Sequence, residues 1–391
     1  MSAIVLKDST LSSLKGKVVV ISGSARGIGA ATTRSLHSCG SKVVHGDWDE
    51  AGSNHDAEFK GEGETEFVKT DVTDYDSVLK LFNTAWKKYG RVDIAISNAG
   101  IQEVGNWFDP GLDLERIKTK PSNRVIDVNL TGSLYFARIA ATYLKEGAKP
   151  DEDKSLVLLS STAGFKETPG LFNYTASKHG VLGLLRSLRP YLLKTHNIRV
   201  NAICPWMTDT VMVDGIRENW VKEGLPVNQP KDVGRIILEV AADGRSNGKA
   251  VFVEDGKGWD IEEGINATEE LWLGREVSKK LNRGQEVLGD GTDWVKLDNE
   301  LKSYVDHGLT CDSRRDQKPV LTLLAEISTS LKYLNLTFKD HVEDCETDAF
   351  AVEARELLEE GKKPVEMGYQ GFPPSEVFKA YIYFEDHMGI W

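Results

Sequence analysis

The sequence predicts a doubly wound α/β domain over residues 16–255, preceded by a short N-terminal extension (1–15) and followed by a mostly helical C-terminal extension (256–391). Three observations predict this. Short runs that are apolar at nearly every position recur through residues 16–255, separated by segments of helical period. That is the pattern of a parallel sheet covered on both faces. A glycine-rich turn joins the first apolar run to the first helical segment. Beyond residue 255 the apolar runs stop and Gly, Asp, Glu and Lys take over.

The elements follow in order. Residues 18–22 (VVVIS) read as a buried strand and 28–39 as a helix. Strands follow at 42–46 (KVVHG) and 67–70, then a helix at 77–89 with apolar side chains at helical spacing. Further strands fall at 92–96, 156–159, 199–203 and 250–253, with helices at 122–144, 174–195 and 230–242 between them. A ligand of such a sheet is expected beyond the carboxyl ends of its strands. Residues 256–298 show no clear strand. Residues 317–334 place Val320, Leu321, Leu324, Ile327, Leu331 and Leu334 on one helical face, and a short helix is expected at 348–359.

Composition excludes several classes of function. The net charge is −12, and an acidic surface repels phosphate backbones, so no nucleic-acid partner is expected. No stretch approaches the ~20 consecutive apolar residues of a membrane span, and the first residues lack the apolar core of a leader. The expectation is a cytoplasmic protein with no membrane partner. The four cysteines, Cys39, Cys204, Cys311 and Cys345, form no CxxC pair and no metal-ligand spacing. They read as reduced thiols, and no metal is expected.

The chemistry-bearing residues sit at strand ends. The first strand runs into Ser22-Gly23-Ser24-Ala25-Arg26-Gly27-Ile28-Gly29. Glycines at 23, 27 and 29 permit a tight turn and let backbone N–H groups approach a pyrophosphate, at which the following helix also aims its positive end. Asp47 ends the second strand about 20 residues on, where a carboxylate accepts hydrogen bonds from a ribose and repels a 2′-phosphate, favouring NAD over NADP. Arg26, inside the turn, could counter that charge, and Trp48 could flank an adenine. Tyr174 and Lys178 lie four positions apart at the start of a helix and share a face. A free tyrosine titrates near ~10, and a neighbouring ammonium is expected to lower that value toward a working acid/base. Ser161 can hold a substrate oxygen, and Asn129 a proton-relaying water.

Residues 14–254 resemble the short-chain dehydrogenase/reductase family. The glycine turn carries serine where the family usually has threonine, and Asn98-Ala99-Gly100 matches its Asn-Ala-Gly, with Ser97 in place of a further asparagine. The family's catalytic tetrad falls on Asn129, Ser161, Tyr174 and Lys178. The resemblance implies a Rossmann fold that binds its dinucleotide through Gly23, Arg26, Gly27, Ile28, Gly29, Asp47, Trp48, Asp71, Val72, Asn98, Ala99 and Gly100. It extends that set to Tyr174, Lys178, Pro205, Thr208 and Thr210. The phrases Gly46-Asp47-Trp48-Asp49, Ala176-Ser177-Lys178-His179-Gly180 and Asn201-Ala202-Ile203-Cys204-Pro205 look most like the NAD-dependent hydroxyprostaglandin-dehydrogenase-like branch. That branch implies a secondary alcohol or ketone as the small-molecule substrate, and the family implies a homo-oligomer, with a dimer favoured. One departure is Trp206, a large ring where the family usually has glycine. Apolar residues at 208–225 (Met212, Val213, Ile216, Trp220) are candidates for a substrate lid. The alternatives are a dinucleotide-binding sensor or assembly module without turnover, and a non-redox isomerase or cyclase. Reduction of NAD by secondary alcohols separates all three.

Overall fold

A computed structural model describes residues 3–4, 7–50 and 61–292; the helices expected at 317–334 and 348–359 lie outside these residues. Among the described residues the strands are β1 (Val18–Ser22), β2 (Lys42–Asp47), β3 (Glu64–Lys69), β4 (Ile94–Ser97), β5 (Lys154–Leu159), β6 (Ile198–Pro205), β7 (Ala250–Glu254) and β8 (Lys257–Asp260). They form one sheet in the order β3-β2-β1-β4-β5-β6-β7-β8. The pairs from β3 to β7 are parallel, and β8 runs antiparallel to β7. The strand order reverses between β1 and β4, which opens a crevice at their carboxyl ends.

The core explains why the central strands β1 and β4 are apolar at nearly every position. Alternate side chains of a strand point to opposite faces: Val18 and Val20 enter one buried cluster, Val19 and Ile21 the other. The helices α1 (Asp8–Ser12), α2 (Gly27–Ser38), α3 (Tyr75–Tyr89), α4 (Arg124–Ile126), α5 (Gly132–Lys145) and α6 (Phe172–His196) are followed by α7 (Asp214–Lys222), α8 (Pro230–Ala242), α9 (Ile261–Leu273) and α10 (Arg275–Leu288). Helices α3, α5 and α6 cover the first face with Leu81, Phe82, Phe136 and Leu182. Helices α2 and α8 cover the second with Leu36, Ile236 and Ile237. The doubly wound parallel architecture is therefore the one the sequence predicts.

Two expectations are corrected. The continuous helix expected at 122–144 is interrupted: Asp127–Thr131 adopt a π-helical turn between α4 and α5. The widened turn holds Asn129, whose carbonyl accepts the Ser133 hydroxyl at 2.7 Å. Residues 256–298 do contain a strand. Asp255 and Gly256 both have positive φ (48° and 70°) and form the two-residue turn that folds β8 back on β7. Immediately after β8, Ile261 enters the core, and the buried Glu262 carboxylate pairs with Arg186 and Arg189 of α6, each at 2.8 Å. Among the described residues, no helix is long and apolar enough to cross a membrane.

Candidate active site

The carboxyl end of β1 supplies the first part of the site. Gly23 has φ +72°, and a Cβ there would lie 2.5 Å from the Ala99 Cα; a Cβ on Gly29 would fall 1.9 Å from the Gly23 carbonyl oxygen. No side chain fits at either position. The turn is tied to the segment after β4: Asn98 Nδ2 donates to the Gly23 carbonyl at 2.7 Å, and the Ser22 hydroxyl accepts the Asn98 and Ala99 N–H groups. Asn98 Oδ1 is buried without a partner among the described residues. Helix α2 begins at Gly27, and its N-cap residue, Arg26, offers no side-chain cap, so its first N–H groups point into this cradle. The Thr210 methyl lies 3.0 Å from where a Gly27 Cβ would be, closing the turn from the opposite side. Ile28 packs partly into the second core face. Shape, free N–H groups and helix polarity all fit a pyrophosphate.

Asp47 ends β2 with one carboxylate oxygen accepting the Ala25 N–H at 2.8 Å and the other accepting the Asp49 N–H at 3.0 Å. Arg26 forms an ion pair with Asp49. Trp48 stands 64% exposed beside them. Asp71 instead turns onto its own loop, accepting both the N–H and the hydroxyl of Thr73, while Val72 is buried against Gly132.

The second part is built on β5, the π turn and α6. Asn129 is fully buried. Its side chain holds the Ile101 backbone on both sides, accepting the N–H at 2.8 Å and donating to the carbonyl at 2.9 Å, and also donates to the Ser177 hydroxyl. Gly100 leaves just enough room: a Cβ there would meet Asn129 Oδ1 at 3.3 Å and Lys178 Nζ at 3.4 Å. Lys178 Nζ donates to the Leu159 carbonyl at 2.9 Å and sits 5.6 Å from the centroid of the Tyr174 ring. Ser161 opens a short 3-10 turn just past β5, its hydroxyl accepting the Ala163 N–H at 3.2 Å and lying near enough to the Tyr174 phenol to influence its titration. The site thus brings Asn129, Ser161, Tyr174 and Lys178 together.

The electrostatics differ from the sequence-based expectation. Burial pushes the Tyr174 phenol above its usual value, and the neighbouring Ser161 hydroxyl offsets this only in part. Burial lowers Lys178 to about 8, opposed by the neighbouring Cys204. Desolvation penalises any charged form, so it moves the phenol up and the amine down at once. The lowering of Tyr174 by an adjacent ammonium is not what this geometry produces.

A family model described as short chain dehydrogenase matches residues 17–220. The chain belongs to the short-chain dehydrogenase/reductase family. This short-chain dehydrogenase/reductase is 34% identical to the family member ascJ of Acremonium egyptiacum over 266 residues, which is 68% of this chain and 87% of that one. It is 31% identical to the 3-oxoacyl-[acyl-carrier-protein] reductase FabG of Thermotoga maritima, over 62% of this chain and 98% of the relative. Among solved structures it is similar to a 3-ketoacyl-(acyl-carrier-protein) reductase from Brucella melitensis in complex with NADH. That match has a TM-score of 0.54 and 25% identity, covering 62% of this chain and 98% of the other. Family membership makes the chain an oxidoreductase.

Beyond the family pattern, Trp206 packs edge-on against Trp220 of α7 at 5.0 Å between centroids, and against Phe252 of β7 at 6.1 Å. It anchors α7 to the sheet edge, with Trp220 Nε1 donating to the Pro226 carbonyl. The Pro205 carbonyl accepts the Thr162 hydroxyl, and Thr208 is buried with its hydroxyl on the Trp206 carbonyl. Residues that sequence reasoning missed are Ser160, which donates to the Lys178 carbonyl, Ser177, and Glu103, which accepts the Tyr174 N–H at 2.8 Å. No local signal marks them, because each acts across a tertiary contact.

Proposed function

We propose that this enzyme interconverts a secondary alcohol and a ketone on a mid-sized, largely apolar substrate, with NAD as its cofactor and Tyr174 as the general acid/base. The observation that carries this reading is Lys178 Nζ held by the Leu159 carbonyl 5.6 Å from the centroid of the Tyr174 ring, with Ser161 beside the phenol. When bound, NAD supplies the acceptor or donor of the hydride. Gly23, Arg26, Gly27, Ile28 and Gly29 would hold its pyrophosphate side, with Thr210 closing over Gly27. Asn98, Ala99, Gly100, Pro205 and Thr208 would line the nicotinamide side. Asp71 and Val72 would border the adenine side through their loop backbone. Asp47 and the Arg26–Asp49 ion pair support NAD over NADP, since the only cation in the glycine turn is already paired with a carboxylate.

The side chains then have distinct tasks. The Ser161 hydroxyl donates to the substrate oxygen and orients it toward Tyr174. The phenol gives its proton to a ketone oxygen, or as phenolate takes the proton of an alcohol. A raised Tyr174 pKa keeps the phenol protonated at neutral pH, which suits reduction; oxidation gains as the pH rises. Lys178, held by the Leu159 carbonyl, is placed to grip the nicotinamide ribose. Asn129 holds Ile101 and so the loop leaving β4. The exposed apolar residues Val211, Met212 and Ile216 support an apolar substrate entering under α7.

We assign the protein to the cytoplasm and to a homodimer formed through α5 and α6, in which Leu134 and Leu193 are exposed apolar residues. The test is direct. Purified protein is mixed with NAD or NADP and a panel of secondary alcohols, and the absorbance of reduced cofactor is followed. Reduction of NAD and not NADP by at least one alcohol is expected. No turnover with either cofactor in either direction refutes the reading.

A further inference from the structure

Glu103 carries a carboxylate only half answered by the protein. Asn129 fixes the Ile101 backbone on both sides, and two residues on the chain returns to the start of α6, where Glu103 Oε2 accepts the Tyr174 N–H at 2.8 Å. That bond caps a helix whose own N-cap residue, Leu171, brings no side-chain cap. Capping accounts for Oε2 alone. Oε1 is buried and has no hydrogen-bond partner among the described residues. Leaving a buried acceptor unsatisfied costs about 1–3 kcal/mol and more for a charged group, so natural proteins rarely keep one. Asn173 Nδ2 and Thr175 Oγ1, on the residues flanking Tyr174, are also buried without partners among the described residues. Unanswered polar atoms therefore gather around the residue that bears the phenol.

Aromatic rings stand at the same end of α6. Phe108, on the segment that leaves Glu103, packs edge-on against Phe172 in the first turn of α6 at 4.6 Å between centroids. Leu112, Leu114 and Ile117 are exposed further along the same segment. A buried acceptor near aromatic rings selects a ring-bearing ligand with a matching donor.

We propose that Glu103 is a specificity-determining residue, and that Oε1 receives a second hydrogen-bond donor on a ring-bearing secondary alcohol. That donor, a hydroxyl, lies about one tyrosine side-chain length from the reacting oxygen, since Glu103 holds the backbone of Tyr174 while the phenol meets the reacting end. The proposal rests on the alcohol/ketone reading above and names the substrate class within it.

The probes are 1-tetralol and 6-hydroxy-1-tetralol, which differ by one distant hydroxyl. The full-length wild type, Glu103→Gln and Glu103→Ala are compared for kcat/KM with NAD, for calorimetric affinity toward both alcohols, and for melting temperature. A hydrogen bond to a charged acceptor predicts that the wild type favours the hydroxylated probe by about tenfold or more. The ratio shrinks in Glu103→Gln, which can still cap α6, and approaches one in Glu103→Ala. A role in capping alone lowers the melting temperature and affects both probes equally; an unchanged ratio in Glu103→Ala overturns the proposal. So does wild-type binding that is equal for the two probes or absent for both. A binding preference that Glu103→Ala abolishes, without turnover of either alcohol, upholds the subsite and refutes the alcohol/ketone reading instead.

Discussion

The Asp47 carboxylate at the end of β2 receives the Ala25 N–H at 2.8 Å, so the acidic strand end is bonded directly to the glycine turn. One oxygen shapes the turn while the other accepts the Asp49 N–H, and Asp49 in turn occupies Arg26. Asp47→Ala removes the proposed ribose acceptor and releases this arrangement. NAD binding is expected to weaken by about 10–100-fold, the worth of one or two charge-assisted hydrogen bonds. The preference over NADP should narrow at the same time. Fluorescence titration with both cofactors measures the two effects, and a wild type that already prefers NADP contradicts this reading of Asp47.

Lys178 gives a prediction about stability. Its pKa falls from 10.5 to about 8 in the fold, which corresponds to roughly 3 kcal/mol. Below pH 8 the amine is charged in both states, so burial opposes folding by the full amount. Between about pH 8 and 10.5 the unfolded chain binds more protons, and stability therefore rises with pH. Lys178→Met is expected to be more stable than wild type at pH 7, with an advantage that shrinks by pH 10, while activity is lost. Urea unfolding of both proteins at the two pH values checks this. An equal stability difference at pH 7 and pH 10 contradicts it.

Most of the sheet was legible because its strands are buried on both faces and carry almost no polar interruption. Helix α8 falls on the expected residues, Pro230–Ala242, with proline at its start. The edge strand β8 was missed although Asp255-Gly256 is a strong hairpin signal; its short Lys-Gly-Trp-Asp segment has no apolar alternation to accompany that signal. The π turn at Asn129 depends on contacts with Ile101 and Ser177, tens of residues away. That Asn129, Ser161, Tyr174 and Lys178 gather at one place was readable from spacing and family pattern. Their charge states were not, because desolvation is set by the whole fold around Tyr174 and Lys178.

The region just past residue 254 should matter for stability. Removing everything after Glu254 strips β8 from the sheet edge, takes Ile261 from the core and leaves Arg186 and Arg189 without Glu262. A lower melting temperature or poor solubility is expected. The point variant Glu262→Ala should cost about 2 kcal/mol, in the range for hydrogen bonds to charged groups, because the two arginines keep partial access to water. Thermal unfolding of both variants tests this. Unchanged melting in the truncation contradicts it.

The central claim is that the Tyr174 phenol moves the proton while Ser161 holds the substrate oxygen. Tyr174→Phe removes one oxygen atom and leaves the ring, the Glu103 cap on the backbone and the Lys178 contact with Leu159 in place. The measurement is kcat for a secondary alcohol, with NAD affinity determined by titration on the same preparation. The account predicts NAD affinity close to wild type and a kcat lower by about 10²–10⁴-fold, the contribution of a positioned general acid/base. Turnover near the wild-type rate would contradict it.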